Sequence, residues 1–311
     1  MSKNMHTRPR PARCTAIAAG LVLAVGLGVS TQAVARTAAP AAGPAYGNAS
    51  TTPRSVTGVN GDLVTRVADF YGAYIDAKVD SEDPDTTLAK ALRAHYLTPA
   101  FAKRLGAWEK KHAADGVLRA QNVPVKWTVS EGGNGLEVVV TLTFGGGESP
   151  TVRTRLVVEL EPVHGDVTGI RTKSTAPVKA APKASAAVRS ISGRTGDSVT
   201  RVADFYGAYV DAKGSSDGPD ARLSKALRAH YLAPGFAKRL GAWEKKHAVD
   251  GVLRAQNVPV DWVVREGRHS GEIAVTHSFG GGESPTVRTN LVVNLEPVHG
   301  DVTDIRTKKG H

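Results

Sequence analysis

The sequence predicts an α+β protein written twice: two homologous domains, each with about three helices packed on a curved antiparallel sheet of about four strands. Three observations predict it. Aligning Gly61 with Gly196 holds a constant offset through to Lys173 and Lys308 without a gap, and about three-quarters of the aligned positions are identical. Within each copy the apolar period changes from about 3.6 residues to 2, the change from helix to strand. The helical patterns come first and the strand patterns afterwards, an order that segregates helices onto one face of an antiparallel sheet.

Each element has a local reason. In GDLVTRVADFYGAYIDAK, the residues Val64, Val67, Ala68, Tyr71, Tyr74 and Ile75 recur with helical period behind a capping Asp62, and Arg66, Asp69 and Asp76 are expected on the opposite, wet face. A polar turn leads to a short helix, LAKALRAHYL. Thr98 followed by Pro99 starts a third helix, whose stripe is Phe101, Leu105, Trp108 and His112 and whose expected stop is Asp115-Gly116. Alternation then places Leu136, Val138, Val140, Leu142 and Phe144 on one strand face, and Val152, Thr154, Leu156, Val158 and Leu160 on the next, with Arg153, Arg155 and Glu159 opposite. GGGES is the expected hairpin turn, and VTGIRTK a last strand.

The ends and joints have a different character. Lys3, Arg8, Arg10 and Arg13 precede an uncharged run from Thr15 to Val29 and a small-x-small AVA ending at Ala35. That layout predicts a secretory signal peptide over 1–35, cleaved after Ala35, and a secreted protein, extracellular or associated with the cell envelope, with no stable membrane anchor. A disordered leader is expected over 36–57, domains over 58–173 and 193–308, an Ala/Pro/Lys-rich flexible linker over 174–192 and a tail over 309–311. Cys14, the only cysteine, lies inside the expected signal peptide, so the exported part is expected to have neither disulfide nor cysteine-ligated metal.

The formal net charge is +11. Counted by segment, 61–173 holds 14 basic and 15 acidic residues and 196–308 holds 15 and 14, so the surplus sits in the signal segment, the tails and the linker. Phosphate neutralisation wants a basic face on the folded unit itself, and no nucleic-acid partner is expected.

The stretch YLTPAFAKRLGAWEKKHAADGVLRAQNVPVKW resembles a family of small exported bacterial domains of unknown function, through Tyr96, Leu97, Thr98, Pro99, Asp115, Ala120, Gln121, Asn122, Pro124 and Trp127. The second copy repeats the set with Ala233 for the threonine. The order of elements is similar to the cone-shaped nuclear-transport-factor-2-like fold. That resemblance implies either a non-catalytic binding module or an isomerase, cyclase or dehydratase using Asp and His inside the cone.

Candidate sites follow from matched residues. His95, His112, His230 and His247 lie on or beside apolar stripes and are the candidate acids or bases of an enzyme reading; the bland alternative is a histidine favoured by a helix end. No Asp/His pair and no metal or cofactor motif is expected. Tyr71, Tyr74, Trp108 and Trp127, with Tyr206, Tyr209, Trp243 and Trp262, are expected to line a cavity for an apolar ligand or a partner's side chain, against a bland reading as core. The copies differ mainly in the turn from Val79 to Ala89 and along the sheet, as at Lys126/Asp261, Leu142/His277 and Arg155/Asn290. The expected function is therefore a secreted non-enzymatic module of two tethered domains. Each would offer a cavity and a sheet to a protein, envelope component or small apolar ligand, with the exported enzyme as the alternative.

Overall fold

A computed structural model describes residues 54–80, 87–146, 149–173, 189–215, 218–281 and 284–308. The expected signal peptide, most of the expected leader, the tail and most of the expected linker lie outside the described residues, as do the tips of both GGGES turns. The described residues form a mixed α+β structure of six helices and two antiparallel five-stranded sheets. In the first repeat these are β1 (Ser55–Val59), α1 (Leu63–Val79), α2 (Thr87–Tyr96), α3 (Pro99–His112), β2 (Lys126–Glu131), β3 (Glu137–Gly146), β4 (Ser149–Leu160) and β5 (Val167–Thr172). The second repeat supplies β6 (Ser190–Arg194), α4 (Ser198–Gly214), α5 (Ala221–Tyr231), α6 (Pro234–His247), β7 (Asp261–Glu266), β8 (Glu272–Gly281), β9 (Ser284–Leu295) and β10 (Val302–Thr307).

Each sheet has five strands where the pattern predicted about four, and the extra strand comes from the other repeat. The orders are β1-β7-β8-β9-β10 and β5-β4-β3-β2-β6, so β1 pairs with β7 and β6 with β2. SVTGV and SISGR are short, and half of their inward positions are glycine, which hides them as strands; they begin at Ser55 and Ser190, ahead of the expected boundaries at 58 and 193. The glycines are what the pairing needs. A Cβ on Gly193 would lie 2.4 Å from the Trp127 ring, and one on Gly58 would lie 2.3 Å from Trp262. Both tryptophans lie directly opposite those glycines in register and are buried. Flanking bonds secure the exchange: Asn60 N–H donates to the Val260 carbonyl (2.9 Å), and Thr195 Oγ1 donates to the Pro124 carbonyl (2.6 Å).

Helix α1 begins as expected, with Asp62 Oδ2 accepting from Thr65 N–H at 2.7 Å. Its far face is not wet. Asp69 and Asp76 are buried along with every apolar residue from Val64 to Ala77, because α1 is covered by the sheet of β2, β3 and β6 on one side and by α4 on the other. A helix sandwiched this way is buried all round, and its charges must find partners inside. Where α1 and α4 cross, a Cβ on Gly72 would meet Asp204 Oδ1 at 2.1 Å, and one on Gly207 would meet Asp69 Oδ1 at 2.1 Å. Glycine inside a helix costs about 0.5–1 kcal/mol relative to alanine; here it allows the two backbones to approach.

Helix α3 starts at the predicted Thr98-Pro99 but ends at His112, with Ala113 in the left-handed region (φ 50°), ahead of the Asp-Gly expected to stop it. The strand faces follow the alternation: Val138, Val140, Leu142, Leu156 and Val158 are buried while Arg153 and Arg155 are exposed. Val152 and Leu136, expected inside, are exposed because the β3-β4 ribbon runs past the helices that cover its middle.

Gly72→Ala places a methyl inside the Asp204 carboxylate, and overpacking of this kind costs about 1–3 kcal/mol. The expected result in urea denaturation is a loss of that size, with Gly72→Ala/Asp204→Ala recovering more than half of it. A Gly72→Ala protein as stable as the wild type would show that the helices do not meet there.

Candidate functional site: two clefts between the repeats

Two clefts of similar volume, about 740 and 730 Å³, open where the repeats meet. The first is built from the bottom up by α1, α2 and the turn 161–166 of repeat one. In that turn the Glu161 carboxylate accepts backbone N–H bonds from Val163 (2.9 Å), His164 and Asp166 (3.2 Å), and Gly165 has φ 71°. The carboxylate thereby holds His164 and Asp166 at the cleft. Arg66 donates to Asp166 Oδ1 at 2.8 Å and to the Gly165 carbonyl at 3.3 Å, and its guanidinium stacks 4.8 Å over the Tyr96 ring.

The other wall comes from repeat two. Asp211 Oδ2 accepts the Tyr96 hydroxyl at 2.7 Å and lies 3.9 Å from Arg66. His95 Nδ1 lies 3.2 Å from Asp220 Oδ2, a carboxylate that also caps α5. Burial holds the His95 imidazole below its ordinary pKa, helped by the Arg66 charge and opposed by Asp211 and Asp220. The Asp211 carboxyl is raised, again by burial, against the pull of Arg66 and Tyr96.

The second cleft repeats the chemistry with one substitution of parts. Arg201 stacks 4.9 Å over Tyr231, whose hydroxyl donates to Asp76 Oδ2 at 2.8 Å, and Arg201 donates to the Gly300 carbonyl at 3.2 Å. Its shortest ion pair is with Asp80 at 2.6 Å, and His230 Nε2 lies 3.3 Å from the same carboxylate. Burial pushes Asp76 up to about 6, against Arg201 and the Tyr231 bond. Asp80 aligns with Ser215 and Asp220 with Asp85, so the acid facing the histidine is supplied from different points of the two divergent turns. The constant wall of each cleft belongs to one repeat and the divergent wall to the other.

The expected aromatic cavity is absent from these clefts. Tyr71, Tyr74, Tyr206 and Tyr209 are core, at most 1 % exposed. Tyr71 and Tyr206 donate to the Val117 and Val252 carbonyls, and Tyr74 and Tyr209 donate to Asp115 and Asp250 at 2.8 Å. Trp127 and Trp262 pack on the exchanged glycines. Trp108 has both faces taken, by the Arg119 guanidinium at 4.0 Å and by the His112 ring stacked at 4.2 Å; Trp243 is held likewise by Arg254 and His247. His112 and His247 accordingly cap their own helix ends, with Nδ1 2.7 and 2.8 Å from the Trp108 and Trp243 carbonyls. Of the four candidate histidines, His95 and His230 reach a cleft and a carboxylate. Their Nε2 atoms are buried without a hydrogen-bond partner, the 3.3 Å approach of His230 to Asp80 being out of line. Arg66, Asp76 and their equivalents were missed because the helix pattern assigned them to water; the signal was their retention on both copies of α1 where neighbouring turns diverge.

Among the described residues no three of His, Cys, Asp and Glu converge as metal ligands, and no helix is long and apolar enough to cross a membrane. No family model matches the chain, and no curated protein matches it. Among solved structures it is similar to a protein of unknown function from Bacteroides thetaiotaomicron VPI-5482, solved at 2.10 Å, with 18% identity and a TM-score of 0.32 over 35% of this chain and 88% of that one.

His277, which stands where repeat one has Leu142, is wholly buried opposite Trp262, with neither ring nitrogen in hydrogen-bond geometry. Burial drops its pKa from 6.5 to about 4, with the Leu253 backbone, Asp250 and Asp261 only partly opposing. The unfolded chain therefore binds more protons between those values, and stability attributable to this site falls as pH drops from 6.5 toward 4, by about 3 kcal/mol in all. Asp76 works in the opposite sense, costing stability as pH climbs from 3.8 to about 6. His277→Leu leaves Asp76 in place, so the difference between the two proteins isolates the histidine. Denaturation midpoints should show His277→Leu more stable at pH 7.5 and further ahead at pH 5; a gap that does not widen on acidification would contradict a buried neutral imidazole.

Proposed function

We propose that the protein is an exported, non-enzymatic binding module made of two homologous domains of the nuclear-transport-factor-2-like type, whose ligand sites are the two clefts between the repeats. The observation that carries this reading is the pairing: two clefts of nearly equal volume, each built on the same Arg, Tyr, Asp and His. A shape maintained twice around buried charge is costly to build, and a cleft lined by a few fixed polar groups is the ordinary form of a binding site. The first holds the carboxylates Asp166, Asp211 and Asp220 against the single guanidinium of Arg66, and the second holds Asp76, Asp80, Glu296 and Asp301 against Arg201. The excess of carboxylate favours a small polar ligand or peptide segment bearing an amine or guanidinium over the apolar ligand expected from the aromatics. The first 35 residues, with their basic start, apolar run and AVA ending at Ala35, support export.

A second reading, an exported acid-base enzyme, is favoured by His95 beside Asp220. Against it, His95 Nε2, the nitrogen a dyad would offer to substrate, has no opening to the cleft.

Ala94 and Ala229 are exposed on the cleft walls. Ligand-observed NMR with a library of amine- and guanidinium-bearing fragments should yield hits on the wild type that Ala94→Trp/Ala229→Trp loses by at least about tenfold in affinity, the cost of roughly 1.4 kcal/mol. Hits that survive both tryptophans, or none at millimolar fragment, would sink the cleft reading.

A further inference from the structure

The two sheets turn their outer faces to solvent with very different charge. On the sheet of repeat one, register places Arg194 of β6, Lys126 of β2, Thr143 of β3 and Arg153 of β4 in one row across four strands, and Ser192, Thr128, Thr141 and Arg155 in the next row. Arg194, Lys126, Arg153 and Arg155 are all exposed. None of the four is in an ion pair among the described residues; the carboxylates Glu137 and Glu159 lie at the other end of the face, engaged with Arg171. The corresponding rows of the other sheet read Val59, Asp261, Ser278, Arg288 and Thr57, Val263, Thr276, Asn290. In these two rows four unpaired cations on one sheet correspond to a single arginine and an aspartate on the other, whose outer face adds one exposed arginine, Arg265, in the following row.

Strand exchange creates the sharpest part of this patch, since Arg194 belongs to the second repeat and sits directly opposite Lys126 of the first. Like charges opposite one another on paired strands are destabilising, and here no described carboxylate relieves them. Strands about 4.8 Å apart spread the row over about 14 Å, the scale of two or three repeats of a charged polymer. Hydroxyls of Ser192, Thr128, Thr141 and Thr143 lie between the cations. No aromatic side chain shares these two rows, so a nucleobase finds no stacking platform.

From this we infer that the outer face of the β5-β4-β3-β2-β6 sheet is a binding surface for a base-free, phosphate-bearing polyanion, the chemistry of anionic envelope polymers, and that the β1-β7-β8-β9-β10 sheet is not. The surface is separate from the clefts and stands whether or not they bind.

The two sheets supply each other's controls. Lys126→Asp/Arg155→Asn/Arg194→Val installs on the basic sheet the residues its counterpart carries, and Val59→Arg/Asp261→Lys/Asn290→Arg does the reverse; thermal melts establish that each folds. Binding of the full chain to fluorescent inorganic polyphosphate is measured by anisotropy from 50 to 300 mM NaCl, beside an oligodeoxythymidylate of equal charge. Four cations predict a log-log salt slope of about −3 for the wild type, taking about 0.7 per neutralised phosphate of a single strand. The first triple variant should lose at least about tenfold in affinity with a slope nearer −1, and adding the second triple should restore binding. Equal binding by wild type and first variant would place the affinity in the basic leader, linker or tail and overturn the inference, as would no binding at 50 mM NaCl. Tighter binding of the oligonucleotide than of polyphosphate would overturn the base-free assignment.

Discussion

Trp127 occupies the space a side chain at Gly193 would fill, and Trp262 that at Gly58, so at those two positions the incoming strand can carry no side chain. Most of the architecture follows from that contact. Each tryptophan is contributed by the second strand of one repeat and each glycine by the first strand of the other, so neither sheet is complete within its own repeat. Once the strands have crossed, the helices that follow them are brought face to face, and α1 and α4 meet at Gly72 and Gly207. The clefts are the remaining gap on either side of that crossing, which is why each takes walls from both repeats.

This arrangement forces charge into the interior and then manages it. Asp69 and Asp204 sit fully buried against the opposing glycines, and burial holds both well above ordinary carboxylate values. Asp76 and Asp211 are satisfied across the junction by tyrosine hydroxyls and arginines of the opposite repeat. A buried ion pair adds little net stability compared with a well-packed apolar pair, but removing one partner is strongly destabilising. The network therefore acts as a register mark: Asp211 meets its tyrosine and arginine only when repeat one is seated against it, and Asp76 only when repeat two is. Hydrophobic burial along α1 and α4 supplies the attraction, and the charges fix where it stops.

The α+β class, the run of three helices followed by strands after the opening strand of each copy, and the capping of α1 by Asp62 were legible in the sequence, since each rests on local rules of spacing and capping. The exchanged strands were not. Five residues with glycine at one of two inward positions carry too little pattern, and pairing between distant segments leaves no local trace. The same blindness moved Asp69 and Asp76 to the wrong side of α1: a helical wheel separates apolar from polar but cannot tell water from another protein surface with matching charges. The aromatics erred the other way. Their appearance in both copies fitted a cavity or a core equally, and only the glycines opposite Trp127 and the Arg119-Trp108-His112 stack decide for packing.

The segment from Gly106 to Val125, nearly identical in both repeats, shows how constancy between copies should be weighed. Asp115 there accepts bonds from Val117 N–H, Leu118 N–H and the Tyr74 hydroxyl, and pairs with Lys78 at 3.0 Å. Arg119, in the left-handed region at φ 54°, stacks on Trp108 while donating to the Ile170 carbonyl of the edge strand β5. With Arg104 on the Thr168 carbonyl and Thr98 N–H on that of Val167, it closes an edge that would otherwise invite another strand. So many backbone groups depend on these side chains that little can change. The divergent turns at the clefts and the outer sheet faces carry no such duty, and there the two repeats have become chemically different surfaces on one frame.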